Sequence, residues 1–337
     1  MFSKSIGIDL GTASVLIYVR GKGIVLKEPS VVARDKATGK ILKVGAEAQE
    51  MLGRTPANIV AIRPLRDGVI SDYETTEKML SYFIRKVNGR TLFHPDVVVC
   101  VPSRINEVEE RAVRDAALHA GARSVELIEE PMAAAIGAGV DITKPRGVMV
   151  IDVGGGTTDV AVISLGDVVV SESVRIAGDK FDEAIQKYIA REFNCRIGER
   201  TAEEIKMDIG CLVPRPERVA RTIRGLDRTT GLPREFTITS DDTLSALEEP
   251  GRQILEAVHE VLSRTPPELI SDISQDGIIM TGGGCLVYGF DKLVAEYTRI
   301  HVYIADDPVS CVARGTGAAG DYVADLSSTR VNSGRRT

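Results

Sequence analysis

The chain has 337 residues, 43% hydrophobic and 27% charged, with a formal net charge of −6. This length accommodates two to four compact units, and the acidic balance argues against a protein built for nucleic-acid binding. Five scattered cysteines with no CxxC pair, and only four histidines, argue against a structural zinc site and for reduced thiols in a cytoplasmic protein.

The first strand signals are Ser5–Leu10, Val15–Arg20 and residues 23–26, parted by glycine turns. A short strand is expected at 30–33 and a short helix across 45–53, so residues 33–66 read as a small insertion in a larger domain. Met79, Leu80, Phe83 and Ile84 give residues 75–87 a helical apolar side. Residues 97–101 form a continuous apolar run closed by Pro102, the pattern of a buried strand. Val108, Ala112, Val113, Ala116 and Ala117 predict one helix face, with Glu110 and Arg114 spaced for a surface pair and Gly121 as the stop. Residues 125–128 read as a strand, and Pro131 opens a helix through Gly137.

In the second half, Phe181, Ile185, Tyr188 and Ile189 mark an amphipathic helix. Thr201 with Glu204 has capping-box spacing for a helix over 202–210. Residues 214–233 are Arg-rich loops and edge strands. Pro250 is expected to split the helix over 244–262, and residues 277–281 form a strand running into a glycine triplet. Residues 325–337 form a polar, basic tail. No apolar run approaches the roughly 20 residues needed to span a bilayer, and no signal peptide is expected ahead of Ile6.

One phrase occurs twice. Asp9-Leu10-Gly11-Thr12-Ala13-Ser14 and Asp152-Val153-Gly154-Gly155-Gly156-Thr157-Thr158-Asp159 each sit between two apolar β-runs, predicting two alike hairpins. Glycines permit positive φ and close approach of a ligand, and successive N–H groups make an anion nest. Thr12, Thr157 and Thr158 add hydroxyl donors, and Asp9 and Asp152 stand at strand ends where they can hold Mg²⁺ through its waters. Either turn alone reads equally as an ordinary Asp-Gly turn; the repetition favours a polyphosphate gripped from both sides. Neither is a Walker loop or a dinucleotide GxGxxG, because both lead into strands. Gly282, Gly283 and Gly284 can lie flat against a base or ribose, or make a plain loop.

The order of these turns, with the helix after Glu130-Pro131, resembles the actin, sugar-kinase and DnaK-type ATPase superfamily. The phrases 7–13, 21–26, 28–33, 129–137, 200–206 and 264–269 resemble the bacterial actin MreB/Mbl family over residues 5–320; Val15 and Asp159 lean toward the Mbl branch. The resemblance implies an α/β, actin-like (ribonuclease H-like) fold of duplicated domains, in four subdomains around a nucleotide cleft. These would comprise residues 1–32, 67–146 and 312–337 (IA), 33–66 (IB), 147–178 and 245–311 (IIA), and 179–244 (IIB).

It further implies that ATP or ADP with Mg²⁺ lies between the hairpins. Asp9 and Asp152 would stand on the metal side. Gly11, Thr12, Ala13 and Ser14, with Gly154, Gly155, Gly156 and Thr157, would cradle phosphate. Glu203, Glu204 and Lys206, with Gly282, Gly283 and Gly284, would meet ribose and adenine. Glu130 would orient the attacking water; without the resemblance it reads as a carboxylate at a helix start. Ser14 stands where the family usually has Asn, which changes the contact there.

The implied function is a weak ATPase that forms filaments of itself on the inner face of the cytoplasmic membrane. There it would serve cell-wall elongation and rod shape. Leu92-Phe93, two adjacent apolar residues in a polar loop, would be the membrane contact, worth about 3–6 kcal/mol per subunit and multiplied by avidity along a filament. Alternatively they fold onto their own core. A metabolic kinase of the same superfamily is the competing class, but no further catalytic Asp stands out. A chaperone ATPase would need a peptide-binding domain beyond the nucleotide fold.

Overall fold

The computed structural model describes residues 5–89 and 94–319; Leu92, Phe93 and the tail 325–337 lie outside the described residues. Two five-stranded sheets share one plan. In spatial order the first runs Gly23–Pro29, Ser14–Val19, Ser5–Leu10, Asp96–Val101, Ser124–Glu129. The second runs Asp167–Val174, Thr158–Ser164, Val148–Val153, Ile278–Thr281, Val302–Ile304. In each sheet the glycine hairpin pairs its two strands antiparallel, and its first strand pairs in parallel with a later one. A parallel partner requires a crossover, which places helices on the sheet faces. The strand interiors are accordingly apolar throughout, as in Val97, Val99, Val101, Met149, Val150 and Ile151, all buried.

Each half carries a small three-stranded sheet in its crossover. In the first, Val32–Asp35 pairs with Ile41–Val44 and Ile59–Ile62. In the second, Ala220–Asp227 pairs with Cys195–Arg196 and Pro233–Thr239. One apolar core lies in each half, and a further cluster forms around the helix Glu130–Gly137, where Ala133, Ala134 and Ala135 are fully buried with Val150 and Ile163. That helix crosses residues 311–319, also helical, at backbone contact. A Cβ on Gly137 would overlap the Cys311 carbonyl, and one on Gly315 the Ala133 carbonyl. The crossing therefore admits only glycine at both points.

Several local expectations shift. The strand expected at 30–33 is Val32–Asp35, and the helix expected across 45–53 is confined to Ala46–Gln49. The helix Glu107–His119 is capped by Asn106 with Glu109, and its buried stripe is Val113, Ala116 and Ala117. Val108 falls in the first turn, beyond the core, and is 77% exposed. Arg114 donates to the Val125 carbonyl (2.7 Å) in place of the expected pairing with Glu110. Thr201 caps nothing: its helix is Glu199–Ile209 with Gly198 at the N-cap, and Glu204 turns to Arg200 and Arg221. Two guanidinium partners outweigh one backbone N–H. Pro250 does not split its helix, which runs unbroken from Ser240 to Arg264. A proline removes one hydrogen bond, and the buried face of Leu247, Ile254, Val258 and Val261 holds the helix on both sides of it.

Gly315→Ala is expected to destabilise the protein by about 2 kcal/mol or more, lowering the urea midpoint. An unchanged midpoint would show that the two helices separate at little cost.

Candidate functional site

The two hairpin turns meet. A Cβ on Gly155 would stand 2.6 Å from the Ala13 Cβ, and one on Gly156 would overlap the Thr12 hydroxyl. The Gly68 N–H donates to Thr12 Oγ1 (3.0 Å), so Thr12 is held by the first half while it faces the second. The second turn also anchors a helix: the Gly154 and Gly155 carbonyls accept from the N–H groups of Gly178 (3.2 Å) and Asp179 (2.8 Å). The helix Gly178–Glu192 thus starts at the cleft with the positive end of its dipole toward it.

Around these turns the structure gathers almost every residue singled out by sequence. Asp9, Gly11, Thr12, Ala13 and Ser14 line one cleft with Asp152, Gly154, Gly155, Gly156 and Thr157. Glu130, Glu203, Lys206, Gly282, Gly283 and Gly284 complete it. Glu204 and Thr158 are exceptions: Glu204 is held away by its two arginines, and the buried Thr158 donates its hydroxyl to the Ile176 carbonyl (2.6 Å). Lys206 lines the cleft but pairs with Asp182 (2.9 Å) and donates to the Gly178 carbonyl (3.0 Å), with the two charged side chains only 12% and 13% exposed. Burial holds the Asp182 carboxyl at about 7 although Lys206 pulls it down.

Sequence reasoning missed Gly68, Gly178, Asp179, Met207, Val309 and Val312, which also line the cleft. Gly178-Asp179 just ahead of the amphipathic pattern, and the Asp67-Gly68 turn dipeptide, were available signals. Val309 and Val312 arrive only through long-range folding. At the mouth, Arg63 of the first half's insertion pairs with Asp179 of the second half (3.0 Å).

The two strand-end aspartates occupy matching places. Thr281, on the parallel neighbour strand, donates to Asp152 Oδ1 (2.6 Å). Cys100, on the equivalent strand of the other sheet, donates through Sγ to Asp9 Oδ1 (3.5 Å). Burial, and secondly the charge of Asp152, push Asp9 up to about 7. Burial lifts Asp152 to about 6 against the Thr281 hydrogen bond. Glu130 is raised well above the usual carboxylate range by burial, then by Asp159, Asp152 and Asp9. Carboxylates crowded in a water-poor place prefer to be neutral unless a cation joins them. Their hard oxygens fit Mg²⁺ better than a soft metal. Among the described residues no three ligating side chains gather for a metal by themselves, so a cation here would complete its shell with water and ligand oxygens.

Two copies of one mixed sheet, joined by facing glycine hairpins over an acidic cleft, define an actin-like protein. The chain belongs to the MreB/Mbl family: residues 3–328 match the family described as MreB/Mbl protein. It is 54% identical to the cell shape-determining protein Mbl of Bacillus subtilis (strain 168), over 97% of this chain and 98% of that one. It is also 54% identical to the cell shape-determining protein MreB of Escherichia coli (strain K12), over 96% and 95%. Among solved structures, MreB 5 of Spiroplasma citri bound to AMPPNP superposes with a TM-score of 0.92 at 38% identity, covering 98% of this chain and 99% of that one.

The carboxylates set a pH dependence for the ligand-free protein. Unfolded Asp ionises near its ordinary value of 3.8, whereas folded Asp9 holds its proton to about 7. The folded state therefore binds more protons in this window, and stability falls as pH rises from about 4 to about 7. Asp9→Asn is expected to flatten that slope and to raise Tm by about 2 °C or more at pH 8 without ligand. A steeper slope or lower Tm would contradict the assignment.

Proposed function

We propose that the chain is a cytoskeletal ATPase. It binds Mg-ATP between the two hairpins, assembles into filaments of itself, and supports cell shape as a peripheral protein at the inner face of the cytoplasmic membrane, together with the wall-elongation machinery. The observation that carries the nucleotide reading is the facing pair of turns with an aspartate behind each. Residues of both turns line one space together with Asp9 and Asp152, so a polyphosphate and its cation bound there would meet N–H groups and carboxylates of both halves. The relative bound to AMPPNP supports a nucleotide as the ligand. Mg²⁺, when bound, neutralises phosphate charge; Asp9 and Asp152 would hold it through its waters. Gly11 to Ser14 and Gly154 to Thr157 would cradle the phosphates. Glu203, Lys206 and the triplet Gly282, Gly283, Gly284 would border the nucleoside. The cleft would divide the chain into the four subdomains set out from the sequence.

Glu130 is the residue proposed to act on water. It begins a helix whose alanine face is locked in the core, so its carboxylate is held rigidly at the cleft. Burial and the neighbouring aspartates raise its affinity for protons, and a cation bound beside it would favour the carboxylate, the form that accepts a proton from water. A sugar-type kinase is not favoured, since the curated relatives are cell shape-determining proteins.

Glu130→Ala is expected to bind ATP with little change and to release phosphate about 100-fold more slowly. Full turnover would assign the water to another residue. Changing Leu92 and Phe93 to Ser is expected to abolish co-sedimentation with liposomes while ATP-dependent pelleting without lipid persists. Unchanged liposome binding would remove them from the membrane contact.

A further inference from the structure

The loop after the strand Asp96–Val101 reaches across the junction between the halves. Ser103, 2% exposed, donates its N–H to Asp159 Oδ1 (2.8 Å) on the outgoing strand of the second hairpin; Asp159 is fully buried. The same residue's hydroxyl donates to Glu129 Oε2 (2.9 Å). Glu129 is the N-cap position of the helix that begins at Glu130, yet its side chain caps nothing. Arg104 adopts the left-handed conformation, φ 67, which a non-glycine residue takes only at a cost. Its guanidinium pairs with Glu172 (2.5 Å) on the next strand of the second sheet. So one short loop of the first half is clipped to two adjacent strands of the second half, and its serine holds the residue immediately ahead of Glu130.

We infer that Ser103 is a positioning residue for ATP hydrolysis: it transmits the seating of the second hairpin, through Asp159 and Glu129, to the aim of the Glu130 carboxylate. The inference rests on the nucleotide reading above. Ser103 does not line the cleft. Its hydroxyl holds the Glu129 side chain at the helix start, and a small misplacement of a group acting on water costs rate far more than it costs binding. When the halves separate, Asp159 withdraws from the loop, Ser103 loses its anchor, and Glu130 loses its aim. When they close, the chain tightens and hydrolysis is licensed. The strained Arg104 fits this role, because strain at a junction is kept where a precise contact requires it.

The test is a double-mutant cycle in the full chain. Ser103→Ala removes the hydroxyl donor but keeps the N–H, and Glu129→Ala removes the acceptor. ATP affinity, Tm and phosphate release per pelleted subunit are measured for each. Each single variant is expected to slow phosphate release about tenfold with ATP affinity and Tm near the wild-type values, and the double variant to be no slower than either. Wild-type turnover in Ser103→Ala, or losses that multiply in the double variant, would overturn the inference. So would ATP affinity or Tm falling in step with rate, which marks a merely structural contact. Failure of the wild-type chain to bind ATP at all would overturn the nucleotide reading itself, and this inference with it.

Discussion

The seating of the glycine backbone of one hairpin turn against Ala13 and Thr12 of the other is the constraint on which the rest depends. Gly155 meets Ala13, and Gly156 meets Thr12, at distances that leave no place for a side chain. Bringing two turns from opposite halves this close requires each to project from the same position of the same kind of sheet. The duplicated topology supplies that, with each hairpin strand flanked by a parallel partner whose side chain steadies the aspartate behind the turn. The glycine-to-backbone crossing of Gly137 and Gly315 locks two helices of the chain against each other beside the cleft.

The acidic floor has a thermodynamic consequence. Asp9, Asp152, Asp159 and Glu130 are all shifted toward their neutral forms, chiefly by burial. The protein without ligand therefore carries a destabilising cluster that a cation bound there would relieve. A ligand that binds only the folded cleft would stabilise it by the same free energy. The charged links across the junction, Arg63 with Asp179 and Arg104 with Glu172, add a second, weaker layer outside the floor.

Much of the site was legible because its chemistry is local. A strand, an aspartate, glycines, threonines and another strand are contiguous in sequence, so both hairpins and their candidate phosphate donors could be read without the fold. Glu130 was reached through the family resemblance, since by itself it reads as a carboxylate at a helix start. What was not legible arises from distant partners. Glu204 has helix spacing suited to the cleft, but Arg221 lies on a strand whose position only the tertiary fold decides. Lys206 was placed at the cleft correctly, while its pairing with Asp182 was invisible. Val108 fits the helical period, yet it precedes the point where the helix meets the sheet. Pro250 is a local breaker overridden by packing along both flanking segments. The clip of Ser103 joins residues 56 positions apart and has no sequence signature.

The central claim, that two glycine jaws grip one Mg-ATP, is tested most directly by calorimetric titration of Mg-ATP into the wild-type chain and into Gly156→Val. The substitution pushes a side chain against Thr12 and holds the turns apart. The account predicts saturable, Mg²⁺-dependent binding in the wild type and its loss in the variant, with the far-ultraviolet circular dichroism of the two alike. Equal binding by both chains would contradict it.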